Sequence, residues 1–321
     1  MSPERPVAGD GIYLLKQRFT YVYPTTVQHL RHRLVVVPRA VHGNQHRLDH
    51  RLTVTGSPAL VAPTVDCFGN HVVDVIAAEV NGRIDFEAWA LVRRDGPGGQ
   101  TTLPPAAIGD SRLLAATPLT RADPLLAAVA LELAATGGGI GLAERASSWA
   151  HAALTYGYDV TTVRTTAAEA VAGGRGVCQD YAHVMLALCR AAGLPARYVS
   201  GHLVGEGGSH AWVEVVVADP SRPDRAVATA FDPTHDRRAR HGYLTVAVGR
   251  DYADVAPTSG TYEGQGPGVL SGRKHLALVD QDASNQGLPS GFGTRGAVGG
   301  PSPPTALTTS SRGAWSAASE S

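Results

Sequence analysis

The chain lacks most of the features that would assign it to a partner class at once. It has three cysteines among 321 residues, Cys67, Cys178 and Cys189. An odd, sparse count excludes a disulfide framework and suits a reducing compartment. Charge of either sign is not in excess: 28 Lys and Arg stand against 28 Asp and Glu. No field argues for nucleic acid or an anionic membrane surface as partner. One local basic stretch, HDRRARHG from His235 to Gly242, reads as a solvated loop. No apolar run approaches the roughly 18 residues of a membrane span. The start, MSPERPVAGDGIYLLKQ, shows no basic segment followed by an apolar one, so no secretory leader is expected. The cytoplasm is the expected location.

What is present divides along the chain. Five short segments between residues 11 and 95 are rich in β-branched and aromatic residues and bounded by Gly, Pro or Asn: IYLLKQRFTYVYP, HLRHRLVVVP, HRLDHRLTVTG, HVVDVIAAEV and RIDFEAWALVRR. They predict strands of a sandwich or curled antiparallel sheet. Asn81-Gly82 between the last two reads as a hairpin turn. A Gly/Pro-rich linker follows, and from Asp123 the period becomes helical. Asp123 with Pro124 opens one helix, LAERASSWAHAALTYGY forms a second, and Thr165 or Thr166 caps a third that Gly173-Gly174 end. After Gly193 the pattern returns to strands. These readings give an α+β fold: an N-terminal β-sandwich-like domain over 1–100, a linker over 101–122, a catalytic domain over 123–280, and a disordered tail over 281–321, where Gly, Ser, Pro and Thr dominate.

The stretch GGRGVCQDYAHVMLALCRAAGLP carries the chemistry. Tyr181, Val184, Met185, Leu188, Cys189 and Ala192 step by three and four, one buried stripe of a helix. Cys189 lies on that stripe and reads as a small core residue. Cys178 occupies the first turn, where unpaired backbone N–H groups and the macrodipole favour an anion, so a thiolate is favoured there. Gly176 would let a substrate backbone approach closely. A nucleophile needs a base, and the base an orienting group. His210 stands at the start of a strand after a Gly-rich loop, and Asp232 ends the next strand before Pro233. A helix N-terminus packed on an antiparallel ribbon could gather all three. Gln179 and Trp212 join Gly176 as candidates to line the cleft; Trp212 shares the strand face of His210, though a packed aromatic fits the position equally well. Glu214 continues that face toward solvent. His42, His46 and His50 step by four, but their stretch reads as turn and strand, where they lie apart, so no metal is expected.

The wording of these motifs, GRGVCQDYAHVMLALCRAAGLPARYVSG, SHAWVEV and FDPT, with GRDYADVAPTSGTYEG behind them, resembles the bacterial transglutaminase-like superfamily. YVYPTTVQHLRHRLVVVP and DCFGNHVV resemble the β domain that precedes the core in bacterial members. The resemblance implies a papain-like core in which a helix bearing Cys178 packs on an antiparallel sheet, with Cys178 as nucleophile, His210 as base and Asp232 as orienting acid. It implies acyl transfer at peptide or glutamine amides with no cofactor. Hydrolysis is the expected outcome; amine crosslinking and a catalytically idle binding module remain the alternatives. No EF-hand loop is present, so calcium control of the animal transglutaminase type is not expected. Two local departures touch the cleft: only Phe231 represents the aromatic usual before DPT, and Gly207, Gly208 and Ser209 fill the loop before His210.

Overall fold

The computed structural model describes residues 10–96 and 98–279, with the backbone of two further short strands, Thr305–Ala306 and Ala314–Ser316. The rest of the expected disordered tail lies outside the described residues.

Six long strands open the chain: β1 (Gly11–Val22), β2 (Val27–Leu34), β3 (Gln45–Thr55), β4 (Leu60–Val65), β5 (His71–Val80) and β6 (Arg83–Arg94). Five coincide with the five alternating segments of the sequence. The sixth, β4, carries Pro63 and pairs only with β5 at a sheet edge, the place in a sheet where proline is tolerated. Asn81-Gly82 turns the chain between β5 and β6, with Gly82 at φ +75°. The order β1–β6–β3 forms one sheet and β2–β5–β4 the other. The alternating face of β1 serves two cores. Tyr13 and Leu15 pack against the helices of the next unit, whereas Phe19 and Tyr21 fill the interior of the sandwich with Leu30, Ile84 and Phe86.

The second unit begins earlier than expected. Gln100 and residues 101–103 of the predicted linker form strand β7 (Gln100–Leu103), which pairs with the core sheet, and Ser111–Leu114 form a short helical turn. Three helices follow, α1 (Pro124–Ala135), α2 (Gly139–Ala153) and α3 (Ala167–Gly173). Their ends are set locally. Asp123 accepts a hydrogen bond from the Leu126 amide, Thr166 and Glu169 form a reciprocal capping box, and Gly174 takes the left-handed conformation at φ +64°.

Helix α4 (Cys178–Ala191) is the centre of this unit. It does not bury one stripe, as its period suggests, but every residue from Gln179 to Arg190. The reason is enclosure: α1, α2 and α3 lie on it from one side and the core sheet from the other. Its buried polar groups find partners accordingly. Arg190 donates to Thr120 Oγ1 (2.8 Å) and to the carbonyls of Ala196 (3.0 Å) and Arg250 (2.6 Å). Cys189 is fully buried, and burial pushes its thiol up to about 12. It is a core residue.

The core sheet holds β8 (Ala196–Leu203), β9 (His210–Asp219), β10 (Arg222–Asp232) and β11 (Tyr243–Gly249) in the order β10–β9–β8–β11, all antiparallel. The outer edge of β11 is covered by the sandwich. Gln45 makes two amide hydrogen bonds to Thr245, 2.7 and 2.9 Å, and Asn70 makes two to Val248, 2.7 and 2.9 Å. Each side-chain amide mimics a neighbouring strand, so an edge that would otherwise invite pairing is closed. Loss of either amide would leave buried backbone groups unpaired, at about 1–3 kcal/mol each.

The chain then returns. Strand β12 (Thr258–Glu263) pairs with β2, and β13 (Val269–Val279) pairs with β1 over its whole length. Residues 258–279, read from the sequence as the end of the catalytic domain, therefore complete both sheets of the sandwich. The core is an insertion between sandwich strands. Among the described residues, no helix is long and apolar enough to cross a membrane.

Candidate active site

Cys178 is the first residue of α4, and the turn that holds it is built by Asp180. The buried Asp180 carboxylate accepts from the Val177 amide at 2.8 Å and from Thr161 Oγ1 at 2.6 Å. Burial raises the Asp180 carboxyl, and these hydrogen bonds oppose the shift. Gly176 lies in a two-residue parallel pairing with Tyr156, and a Cβ there would fall 2.7 Å from Cβ of Asp180. Glycine is thus required by the capping carboxylate behind Cys178, a packing reason rather than a substrate one.

His210 opens β9 opposite Gly201 of β8. A Cβ on Gly201 would meet the Trp212 ring at 2.4 Å, so the glycine admits the indole that supports His210. Trp212 lies behind the imidazole, its ring 6.1 Å away and nearly parallel, and is 1% exposed. The face-sharing of residues 210 and 212 is real, but the indole backs the histidine from inside the core and does not line the cleft cavity.

Asp232 ends β10, fully buried, and gathers five donors. Oδ2 accepts from His210 Nε2 (2.8 Å), His235 Nδ1 (2.7 Å) and Tyr243 Oη (2.6 Å). Oδ1 accepts from the backbone amides of Thr234 (2.9 Å) and His235 (3.3 Å). Burial alone would raise the Asp232 carboxyl, but the hydrogen bonds from His210, His235 and Tyr243 hold it far below the usual carboxylate range. With Nε2 of His210 committed to Asp232, Nδ1 is the nitrogen left to face Cys178. Burial tends to lower His210, yet the hydrogen bond to Asp232 and the interaction with Cys178 outweigh it and raise the imidazole to about 10. A half-buried thiol, a buried imidazole and a buried carboxylate thus follow one another in this order, the order in which an imidazole can serve a thiol while a carboxylate fixes its tautomer.

Several residues of this site carried no clear sequence signal. His235 belongs to the stretch read as a solvated basic loop, yet its ring and its amide both fold back on Asp232. The sequence Asp-Pro-Thr-His, an acid three residues before a histidine, is the feature that points to such a turn. Tyr243 reaches Asp232 from β11, a strand that is not a neighbour of β10. Glu206, on the loop before β9, lies 3.6 Å from His210 Nδ1 and 3.4 Å from His235 Nε2. His210, Asp232 and His235 bring three potential metal-ligating atoms within 4.8 Å of one another. The N···O separations of 2.7 and 2.8 Å are those of hydrogen bonds. Donors at about 2.0–2.1 Å from one zinc ion stand more than about 3 Å apart, so the cluster is a hydrogen-bonded relay.

The cleft is a narrow cavity of about 30 Å³ lined by Cys178, Gln179, Tyr156, Tyr198, Ser209 and His210 together with Phe19 and Lys274 of the sandwich. Gln179, 2% exposed, reaches toward the Thr162 carbonyl at 3.4 Å. Glu214 is not solvent-exposed. It accepts from Arg197 Nε at 2.7 Å and from His42 Nε2 at 2.7 Å, a buried junction between the sandwich and the core. Burial, with Arg197 and Arg39 nearby, keeps His42 low despite Glu214, so the charged pair there is Glu214 with Arg197 and His42 donates as a neutral ring. His46 and His50 lie in β3, whereas His42 sits in a two-residue strand that turns back to pair with it, opposite Gln45.

Comparison with known proteins agrees with this architecture. Residues 130–225 match the transglutaminase-like superfamily, and residues 13–93 match the bacterial transglutaminase-like N-terminal region. A Mycobacterium leprae protein is 40% identical over 131 residues, 38% of this chain; the match spans 44% of that protein, less than half its length. A Mycobacterium tuberculosis protein is 29% identical over 294 residues, covering 79% of this chain and 88% of its own. A solved Cytophaga hutchinsonii protein, proposed to be a cysteine protease, shares the fold with a TM-score of 0.62 at 21% identity, over 85% of this chain and 92% of that one. The chain thus carries a transglutaminase-like core preceded by a bacterial transglutaminase-like N-terminal region.

Proposed function

We propose that this protein is a thiol-dependent enzyme that cleaves peptide or glutamine amides by acyl transfer to water, with Cys178 as nucleophile, His210 as base and acid, and Asp232 as the group that orients His210. The observation that carries the reading is the single imidazole bridging Cys178 and the buried Asp232 carboxylate, raised to about 10 by both.

The sulfur attacks the amide carbonyl carbon and a C–S bond forms. The C–N bond then breaks as His210 gives its proton to the leaving amine. Water, deprotonated by His210, attacks the thioester; the C–S bond breaks and the acid leaves. The developing oxyanion needs donors. The Cys178 amide, at the first position of α4, has no partner within the helix and supplies one. Tyr156 is assigned as the second: it lines the same cavity, and burial with the nearby Cys178 raises its phenol, so it stays a donor. Water as acceptor is preferred over an amine because nothing in the cavity lining singles out an amine. No cofactor enters this chemistry. Neither nucleic acid nor a membrane is proposed as a partner, and the three free cysteines fit the cytoplasm.

The test is the pH dependence of Cys178 alkylation, followed by mass spectrometry, in the wild type and in His210→Ala. Rapid labelling near pH 6 that drops in the variant is expected. Labelling that rises only near the ordinary thiol value of about 8.5 and ignores His210 would overturn the reading in favour of an idle binding module.

A further inference from the structure

We propose that Glu206 is a further catalytic residue, the acceptor that orients the water attacking the thioester on Cys178. This rests on the function proposed above and goes beyond it by naming the group that positions the acyl acceptor.

A tight turn places Glu206. Strand β8 ends at Leu203, whose carbonyl accepts from the Glu206 amide at 3.1 Å, and Gly205 between them takes φ +94°. A turn closed from its first residue to its fourth, with a positive φ at the third, calls for glycine there. The far end of the loop is tied as well, where His202 Nδ1 donates to the Gly208 carbonyl at 3.1 Å. Held at both ends, the loop brings the Glu206 carboxylate over the relay. One oxygen, Oε1, lies 3.4 Å from His235 Nε2, and the other, Oε2, lies 3.6 Å from His210 Nδ1. His235 is itself fixed on Asp232 by its ring and its amide. Glu206 therefore sits beside the one imidazole nitrogen of His210 that Asp232 does not occupy.

The separation of 3.6 Å is the informative one. A direct N–H···O bond spans about 2.7–3.2 Å, so Nδ1 is not spent on Glu206, yet a single oxygen about 2.8 Å from each atom fits between them. A water there gives one O–H to Nδ1 and the other to Oε2. The cavity lined by Cys178 and His210, about 30 Å³, has room for one or two waters. The Glu206 side chain is 40% exposed, so bulk water reaches it. Its charge is felt across the cleft too: burial chiefly raises the Tyr156 phenol, and both Cys178 and Glu206 add to the shift.

The step balances as follows from these positions. In the acyl-enzyme His210 has given its proton to the leaving amine, so Nδ1 is an acceptor. The water oxygen bonds to the thioester carbon as one of its protons passes to Nδ1. The other proton stays on that oxygen, hydrogen-bonded to Glu206, and leaves with the carboxylic acid. The C–S bond breaks and its electron pair remains on sulfur, which restores the thiolate and the imidazolium. Glu206 exchanges no proton. A carboxylate suits the place because it accepts a charge-assisted hydrogen bond and favours the imidazolium as it forms.

The experiment uses p-nitrophenyl acetate with the full chain. Release of p-nitrophenol reports acylation. Loss of the acetyl mass from Cys178, followed after the excess probe is removed, reports deacylation. An activated ester needs no proton from His210 to leave, so Glu206→Ala should keep the wild-type acylation rate. Its deacylation should slow by about ten- to a hundredfold, the size of one hydrogen bond to a charged group. Glu206→Gln, which keeps an oxygen and loses the charge, should lie between. An unchanged deacylation rate in Glu206→Ala would overturn the assignment. So would acylation slowed as much as deacylation, because the carboxylate would then act on the Cys178–His210 pair and not on water; either result leaves the thiol-enzyme reading standing. A wild type that never carries an acetyl group on Cys178 would overturn both.

Discussion

Replacing Asp232 by Asn removes a charge and keeps the shape, and the structure fixes what should follow. Oδ2 accepts from three side chains, His210, His235 and Tyr243, while Oδ1 accepts two backbone amides. An asparagine has one oxygen. Turned toward the backbone amides, it presents its NH2 to three donors; turned the other way, it opposes the amides. One imidazole can change tautomer and accept from the NH2, but not all three donors can be served. A hydrogen bond to a charged group contributes about 1.5–3 kcal/mol, which at 1.36 kcal/mol per unit is about one to two pK units. His210, at about 10 in the wild type, should therefore titrate near about 8–9 in Asp232→Asn. The global stability should fall by about 2–4 kcal/mol, the cost of donors left unpaired in the interior. A depressed carboxyl contributes stability above its unfolded value of about 3.8 and loses it as pH falls through the folded value. The difference in stability between wild type and variant should thus shrink in acid. The assay is NMR titration of the His210 ring, with urea unfolding at neutral and acid pH. His235→Ala removes one donor instead of the acceptor and should move the His210 midpoint less than Asp232→Asn does. A His210 midpoint in Asp232→Asn within half a unit of the wild type would refute the argument that Asp232 holds the imidazolium.

Two further outcomes follow from buried groups away from the cleft. Glu214→Gln leaves the buried Arg197 cation, 6% exposed, without its carboxylate; urea unfolding should show a loss of about 3–5 kcal/mol with no change in the pH profile of Cys178 alkylation. His32, His183 and His202 are held neutral by burial, each lowered to about 3, so the unfolded chain binds their protons first: the contribution of these three to stability should be level above about pH 6.5 and fall below it, by about 2 kcal/mol per histidine at pH 5, and His32→Phe should remove about a third of that fall between pH 6.5 and 5 in pH-dependent unfolding.

How much of this was legible depends on how far apart the interacting residues stand in the chain. Period-two alternation over ten residues marks β1, β5 and β6 because one face of each must be buried, and caps such as Asp123, Thr166 and Gly174 are settled within four residues. The position of Cys178 on the first turn of α4 is local in the same sense. The enclosure of α4 was not legible as such. A stripe at steps of three and four marks the apolar face, but Asp180, His183 and Arg190 on the other faces look exposed until Thr161 meets Asp180, Tyr198 and the Tyr252 amide meet His183, and Thr120, Ala196 and Arg250 meet Arg190. The return of residues 258–279 to the sandwich was illegible for a stronger reason. Pairing β13 with β1 joins segments about 250 residues apart, and nothing in either segment names its partner. His235 shows the converse: its partner is only three residues away, but a run of basic residues around it reads as a solvated loop.

That return is what ties the sandwich to the chemistry. Had the chain ended with the core strands, β1 would be an edge strand with unpaired backbone groups, and, besides the packing of Tyr13 and Leu15 on the helices, the sandwich would hold the core sheet through the junction at His42, Glu214 and Arg197, the amides of Gln45 and Asn70, and Arg94 on the Tyr243 carbonyl. Those contacts hold the far side of the core sheet, against β11. Strand β13 adds the other hold. Lying along β1, it carries Lys274 to Ser209, next to the residue that opens β9. Two chain crossings, out at β7 and back at β12, therefore fix the sandwich against both the outer edge of the sheet and the mouth of the cleft. A rigid cleft wall from a separate unit is useful only if its register cannot slip, and an eleven-residue pairing with β1 provides that. The alternation along β1 completes the argument: a slip of one residue would turn Phe19 out of the sandwich and Tyr13 away from the helices together, so the two cores and the cleft wall are specified by a single register.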